Sequence, residues 1–409
     1  SWHSVRSEFE RREQCSYQII LSILHSCLER GLEDSWWESV KRGKQLIVYP
    51  AHVPRVIMEP AIPRKKIQLH LHLDGSVRPS TAWELAKEKG IKIPGVTNFE
   101  EFKKACVASN PSTLWGFLQH FGVFWPPLCG DLDALERNAY EFCEDAHKEG
   151  VIYAEVRYSP TSSLGDKAFK EVGPQGYDEV IRRISFGLKR GEHDFGVKTR
   201  TILCGSYCEE SNDLYQTLRL CQAHYYEGVV GMDLLTLQQE HGIIDEAPLV
   251  EPIISVYQEA ARTSVHRTVH AAEASGAYAV HRAVYGLGSE RVGHGYHVLE
   301  EPEIYKKCLE DRIHFECCPH SSLLTGSVKT GGKTHPIIRF ANDGANFSIS
   351  SDDPTVIGHN VQGDYALLAD WGLSEDLMAQ ANLNAVHSSF LDAHDKHDLL
   401  KILKKDNVR

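Results

Sequence analysis

The sequence predicts an α/β fold, a (β/α)8 barrel with extra helices and an N-terminal extension. Three features point to it. From Lys65 onward, short apolar runs alternate with longer segments whose apolar residues recur at helical spacing. Glycines stand where a helix would stop before the next run, at Gly150, Gly196, Gly228 and Gly344. The most polar clusters fall at the carboxyl ends of the apolar runs, where barrel enzymes carry their reactive residues. The predicted strands are 67–74, 152–159, 198–204, 229–234, 266–270, 291–295, 314–318 and 346–351. Helical spacing is clearest over 178–190, 214–226, 249–262 and 302–309. A doubly wound open sheet is the architectural alternative. No glycine-rich phosphate-binding turn follows the first strand, which counts against it.

Residues 1–63 read differently. They are charged, carry scattered tryptophans (Trp2, Trp36, Trp37), and end in a loop with Pro50, Pro54, Pro60 and Pro63. This predicts an N-terminal extension, partly helical, joined through a proline-rich linker to a barrel over 64–409. Composition narrows the function classes. Of 409 residues, 42% are apolar, enough for a large core. A formal net charge of −12 disfavours nucleic acid and anionic membrane surfaces as partners. The 11 cysteines show no framework spacing and read as reduced thiols of a cytoplasmic protein. No run approaches a membrane span. The apolar stretch 17–28 resembles a weak leader core but is read as a short amphipathic helix. The sequence opens on Ser rather than Met, so secretion stays open.

Four clusters carry candidate chemistry. In His70-Leu71-His72-Leu73-Asp74 the two imidazoles share one face of a strand, with Asp74 on the same side. Two imidazoles facing a barrel interior suit a metal chelate; taken alone they fit hydrogen-bonded core histidines equally well. The fifth run ends in His270, a third candidate ligand. Glu273 lies just beyond it, placed for general acid–base work. The sixth run ends in Gly293-His294-Gly295, where small neighbours allow close approach of a substrate or metal and His294 is a candidate proton carrier. The eighth ends in Asp352-Asp353. Successive residues point opposite ways, so one acid can face a metal while the other faces the pocket. One divalent cation accounts for the clustering, and imidazoles with a carboxylate suit Zn2+. The fourth run ends in Asp233-Leu234-Leu235 with no lysine to bridge a second ion, so one metal per chain is expected.

Together these segments resemble the adenosine deaminases among metal-dependent barrel hydrolases. The resemblance runs from about Lys65 to the C-terminus through HLHLDGS (70–76), EVRYSP (155–160), HRTVHAAE (266–273), RVGHGYH (291–297), FECCPHSS (315–322), SDDP (351–354) and ANLNAVHSSFL (381–391). It implies zinc held by His70, His72, His270 and Asp352, with an activated water attacking C6 of a purine nucleoside. His294 and Asp352 would orient and deprotonate that water. Glu273 would protonate N1, and Asp353 would hold N7. Asp74 and His72 would face the ribose 5′ oxygen. Leu114, Phe117, Leu118 and Phe121 have helical spacing and match the family's lid over the ribose; by composition they read equally as a core stripe.

The sequence departs from the family at three places. Thr236 occupies the position of a glycine whose N–H meets purine N3, Ala272 replaces another glycine, and Tyr207 stands where an arginine is expected. The leading expectation is zinc-dependent deamination of adenosine and 2′-deoxyadenosine in purine metabolism. The alternatives are an aminohydrolase acting on adenine or a modified adenosine, and an inactive nucleoside-binding homologue.

Overall fold

A computed structural model describes residues 62–206, 213–235 and 246–406. Its eight strands are β1 (Lys66–His72), β2 (Val151–Tyr158), β3 (Lys198–Ser206), β4 (Val229–Leu235), β5 (His266–Ala271), β6 (Arg291–His294), β7 (His314–Cys317) and β8 (Asn346–Ile349). They form one sheet in sequence order, each parallel to the next. The first and last strands meet through a parallel bridge between Leu71 and Asp352. There the His72 N–H donates to the Asp352 carbonyl (2.9 Å) and the Asp352 N–H to that of His70 (3.2 Å). The Ser350 hydroxyl accepts from the backbone N–H of both Leu69 and His70, at 3.1 Å each. This is the (β/α)8 barrel expected, with every predicted strand present and its boundaries shifted by a few residues.

Alternation along β1 divides its side chains between two environments. Ile67 and Leu69 pack outward with Tyr153 against Ala385 and Val386 of the helix Glu375–Ser388. Gln68 and His70 are buried among the polar groups of the barrel interior. Gly196 (φ 73°) ends the helix Gln175–Phe195, its N–H donating to the carbonyl of Glu192. Gly150, Gly228 and Gly344 turn the chain into β2, β4 and β8 in the same left-handed region.

Two helices fall short of their predicted extents, and the one predicted over 178–190 runs longer, over Gln175–Phe195. The segment predicted as 249–262 becomes helical only at Ile253–Arg262. Pro248 and Pro252 explain the late start, since each lacks an N–H and disfavours helical geometry in the residue before it. The segment predicted as 214–226 ends at Ala223 and continues as a 3-10 turn over Tyr225–Glu227. The extra helices lie between β1 and β2 (Pro79–Glu88, Phe99–Cys106, Leu114–Leu118, Phe121–Phe124) and after β8. Among the described residues, no helix is long and apolar enough to cross a membrane.

Candidate active site

The ends of β1, β5, β6 and β8 converge on one buried centre. Ring nitrogens of His70, His72 and His270 lie within 4.8 Å of one another, and so do ligand atoms of His70, His294, Cys318 and Asp352. The Asp352 Oδ1 is 3.3 Å from His70 Nε2 and 3.5 Å from His72 Nε2. The Nε2 atoms of His72 and His270 face each other at 3.4 Å. Burial holds His72 well below the ordinary histidine value even against the pull of Asp352, so its ring is neutral. Burial and Arg157 oppose a proton on His70, yet Asp352 and Glu316 prevail and raise it. The centre thus draws positive charge toward Asp352 and sets three imidazoles beside that carboxylate. That donor set fits a divalent cation of borderline softness. Cys318 is adjacent, and burial pushes its thiol well up.

A buried set of ions orients the imidazoles from behind. His70 Nδ1 is 2.7 Å from Glu316 Oε2, and His270 Nδ1 is 2.9 Å from Asp233 Oδ2. Arg157 joins the two acids, at 2.8 Å from Asp233 Oδ2 and 2.7 Å from Glu316 Oε2. Arg291 bonds Glu316 Oε1 (2.7 Å) and Glu155 Oε2 (2.6 Å). All these side chains are essentially inaccessible. Burial alone would protonate Asp233 and Glu316. The His270 ring and Arg157 beside Asp233, and the two arginines beside Glu316, outweigh burial and keep both acids ionised below their ordinary values. A histidine whose outer nitrogen meets an ionised carboxylate turns its other nitrogen inward with the lone pair free. Sequence reading assigned no role to Asp233, Glu316, Arg157 or Arg291. Their signal was a charged residue inside an apolar run, which is costly unless paired.

Three acids behave differently from Asp352. Burial, reinforced by Asp352, raises Glu273 to about 8, so it carries a proton at neutrality. Burial raises Asp353 well above the usual range, with Asp352, Asp74 and Glu273 adding to the effect. Burial alone raises Asp74 to about 7. Asp352 keeps its charge because His70, His294 and His72 surround it, outweighing burial. His294 Nε2 stands 3.4 Å from Glu273 Oε2 and 3.9 Å from Asp352 Oδ2, and burial holds the ring neutral, well below its ordinary value. The centre therefore places one protonated carboxyl, one neutral imidazole and one ionised carboxylate side by side, as acid–base chemistry requires.

Backbone geometry at the centre is unusual. Ala272 (φ 55°), His294 (φ 63°) and Asp352 (φ 61°) all occupy the left-handed region that non-glycine residues avoid. The turn after Ala272 is pinned by Glu246. Its carboxylate accepts from the N–H of Glu273 (3.1 Å) and Ala274 (2.9 Å) and from the Ser275 hydroxyl (2.8 Å). Sequence reading missed Glu246 too. Gly293 was read as space for a substrate or metal; a Cβ there would instead press on the His70 ring, 2.9 Å from Cε1. A Cβ at Gly75 would collide with the Asp353 carboxylate.

Of the expected lid, Phe117 is fully buried in the core, while Leu114, Leu118 and Phe121 are half-buried at its edge. This segment is tied to the turn after β7, where the Ser112 N–H donates to the Leu324 carbonyl at 2.9 Å. Thr236 and Tyr207 lie outside the described residues.

The adenosine deaminase family model matches residues 65–406. The chain is 38% identical over 359 residues to adenosine deaminase of Gallus gallus, covering 85% of this chain and 96% of that protein. It is 32% identical over 334 residues to that of Enterococcus faecalis, covering 81% and 93%. Among solved structures, adenine deaminase from Arthrobacter aurescens superposes with a TM-score of 0.72 at 23% identity, over 84% of this chain and 99% of that one. The N6-mAMP deaminase of Arabidopsis gives 0.69 at 24% identity, over 83% and 98%. At such identities the two structures speak to the shared fold, whereas the family model and the sequence relatives establish kinship: the chain belongs to the adenosine deaminase family.

Proposed function

We propose that the chain hydrolyses adenosine and 2′-deoxyadenosine to inosine and 2′-deoxyinosine, releasing ammonia, as a zinc enzyme of purine metabolism. The observation that carries this reading is the pairing of a cation-binding donor set with a protonated Glu273 beside it. His70, His72, His270 and Asp352 would hold one zinc ion. When bound, that ion supplies Lewis-acid activation of water near neutral pH.

The protein's own groups do the rest. His294, neutral and within reach of Asp352, takes the proton from the attacking water as its oxygen bonds C6. Glu273 gives its proton to N1, so negative charge does not accumulate on the ring. Asp353, held protonated, donates to N7. Asp74 and His72, the more open members of the centre at 15% and 13% side-chain exposure, face the ribose 5′ oxygen. Leu114, Leu118 and Phe121 close over the sugar, while Phe117 belongs to the core, and the backbone N–H of Thr236 meets N3. His294 passes its proton to the amino nitrogen, the C6–N bond breaks as the C6 hydroxyl proton returns to Glu273, and ammonia leaves.

We also assign residues 1–63 to an extension separate from the catalytic barrel, since the family match begins at residue 65. A cytoplasmic setting is supported by the eight described cysteines, all of them free thiols. The test is ammonia release from a substrate panel with zinc-loaded protein. Adenosine and 2′-deoxyadenosine are expected to turn over fastest. A ranking led by adenine or N6-methylated nucleotides would displace this reading, and nucleoside binding without turnover would identify an inactive homologue.

A further inference from the structure

A second group of metal-ligating side chains shares no residue with the catalytic centre. His320 is the second residue of the helix Pro319–Leu324, which follows β7. His359 lies in the turn after Gly358, beyond β8, and Asp364 sits in the first turns of the helix Val361–Asp370. One ligand atom from each lies within 4.8 Å of the other two. Asp364 is fully buried. Its Oδ1 accepts from the backbone N–H of His320 and lies 3.1 Å from His320 Nδ1. Its Oδ2 is buried and has no hydrogen-bond partner. A carboxylate oxygen left unpaired in the interior is costly unless something positive meets it.

The two imidazoles are unusually close. Their ring centroids are 3.6 Å apart at 62°, whereas aromatic pairs usually sit about 4.5–7 Å apart. Space for this is built in: a Cβ on Gly363 would fall 2.7 Å from His359 Nδ1. The 3.1 Å between His320 Nδ1 and Asp364 Oδ1 suits a hydrogen bond. It also suits two ligands sharing one ion with bonds of about 2.0–2.2 Å. His320 and His359 remain partly open, so an ion can enter from solvent.

We propose that His320, His359 and Asp364 form a second binding site, for a divalent transition-metal cation such as Zn2+, Co2+ or Ni2+. Two imidazoles and one carboxylate select these ions over Mg2+ or Ca2+, which prefer all-oxygen shells. The ion would tie the turn after β7 to the turn after β8, the latter leading directly from Asp352 and Asp353. Its role is structural, and it does not depend on which purine the catalytic centre accepts.

The test uses full-length protein loaded with zinc and then dialysed against excess Co2+, with total zinc plus cobalt per chain measured by elemental analysis. Wild type is expected to hold about two ions, and H359S and H320A about one. Added Co2+ is expected to raise the Tm of wild type and leave that of H359S unchanged. His359 is half-buried in a turn, so H359S guards against a folding defect in H320A, and the ion retained in each variant shows that the barrel is intact. Wild type holding only one ion would overturn the proposal. Equal uptake by H359S, or uptake lost only on altering the exposed cluster Asp392, His394 and Asp395, would overturn it as well. Loss of deamination with two ions still bound would count against the proposed function and leave this site standing.

Discussion

Glu273 shows how burial prepares a residue for its task. An exposed glutamate titrates near 4.5 and would be ionised at neutrality; this one is raised to about 8, first by burial and then by Asp352. Its proton is present below that value and lost above it, so kcat/KM should hold through neutrality and fall on the alkaline side. A pH–rate profile flat to pH 10 would contradict the assignment of Glu273 as the acid. Ala272 shows the opposite relation, a residue that resists its conformation. A left-handed alanine costs about 1–2 kcal/mol. Glycine relieves that cost but loses more chain entropy on folding, so A272G should stabilise by about 0.5–1 kcal/mol net. A rise in Tm would show this, and a fall would mean that the Ala272 methyl packs more than it strains. At this scale, sequence reading reached the residues that end strands and stand in short polar clusters: His70, His72, His270, Glu273, His294, Asp352 and Asp353. It passed over Asp233, Glu316 and Arg157, because a lone charge in an apolar run gives no hint of its partner when that partner lies on another strand.

The strands act as rulers for the site. The period of two along β1 puts His70 and His72 on one face. The parallel register sets His270 on β5 opposite Gly293 on β6, where the absent side chain leaves room for the His70 ring. Behind them, Glu316 on β7 joins β1 through His70, β2 through Arg157 and β6 through Arg291. Removing its charge loosens the orientation of His70, and such supporting partners typically set metal affinity by about 10–100-fold. E316Q should therefore bind zinc more weakly by about that factor, measured by competition with a chelator. Unchanged affinity would mean that the network serves stability alone. Strand positions were legible because eight apolar runs with glycine stops repeat one pattern. Helix ends were less so: the prolines that delay the helix Ile253–Arg262 were visible, yet the apolar spacing extended past them. The lid segment stayed ambiguous because a stripe of Leu and Phe looks the same whether it covers a ligand or a core. In the structure Phe117 is core, and its neighbours lie at the edge.

For the molecule as a whole, the barrel interior is neither a pore nor a simple apolar core. Arginines and acids from β2, β4, β6 and β7 fill it with paired charge, and the candidate centre rests on that layer at the strand ends. Such an interior is costly to dismantle from one side, since an ion left without its partner typically costs about 3–5 kcal/mol. The layer thus fixes the site's geometry more firmly than loops would. The central claim is that this geometry is a working deaminase whose proton comes from Glu273. The most direct measurement is the ultraviolet change on adding zinc-loaded protein to adenosine, with E273Q assayed in parallel. A conversion to the inosine spectrum by wild type, slowed by about 100-fold or more in E273Q while zinc content is unchanged, is the result expected. No conversion by zinc-loaded wild type, or equal rates in the two proteins, would contradict it.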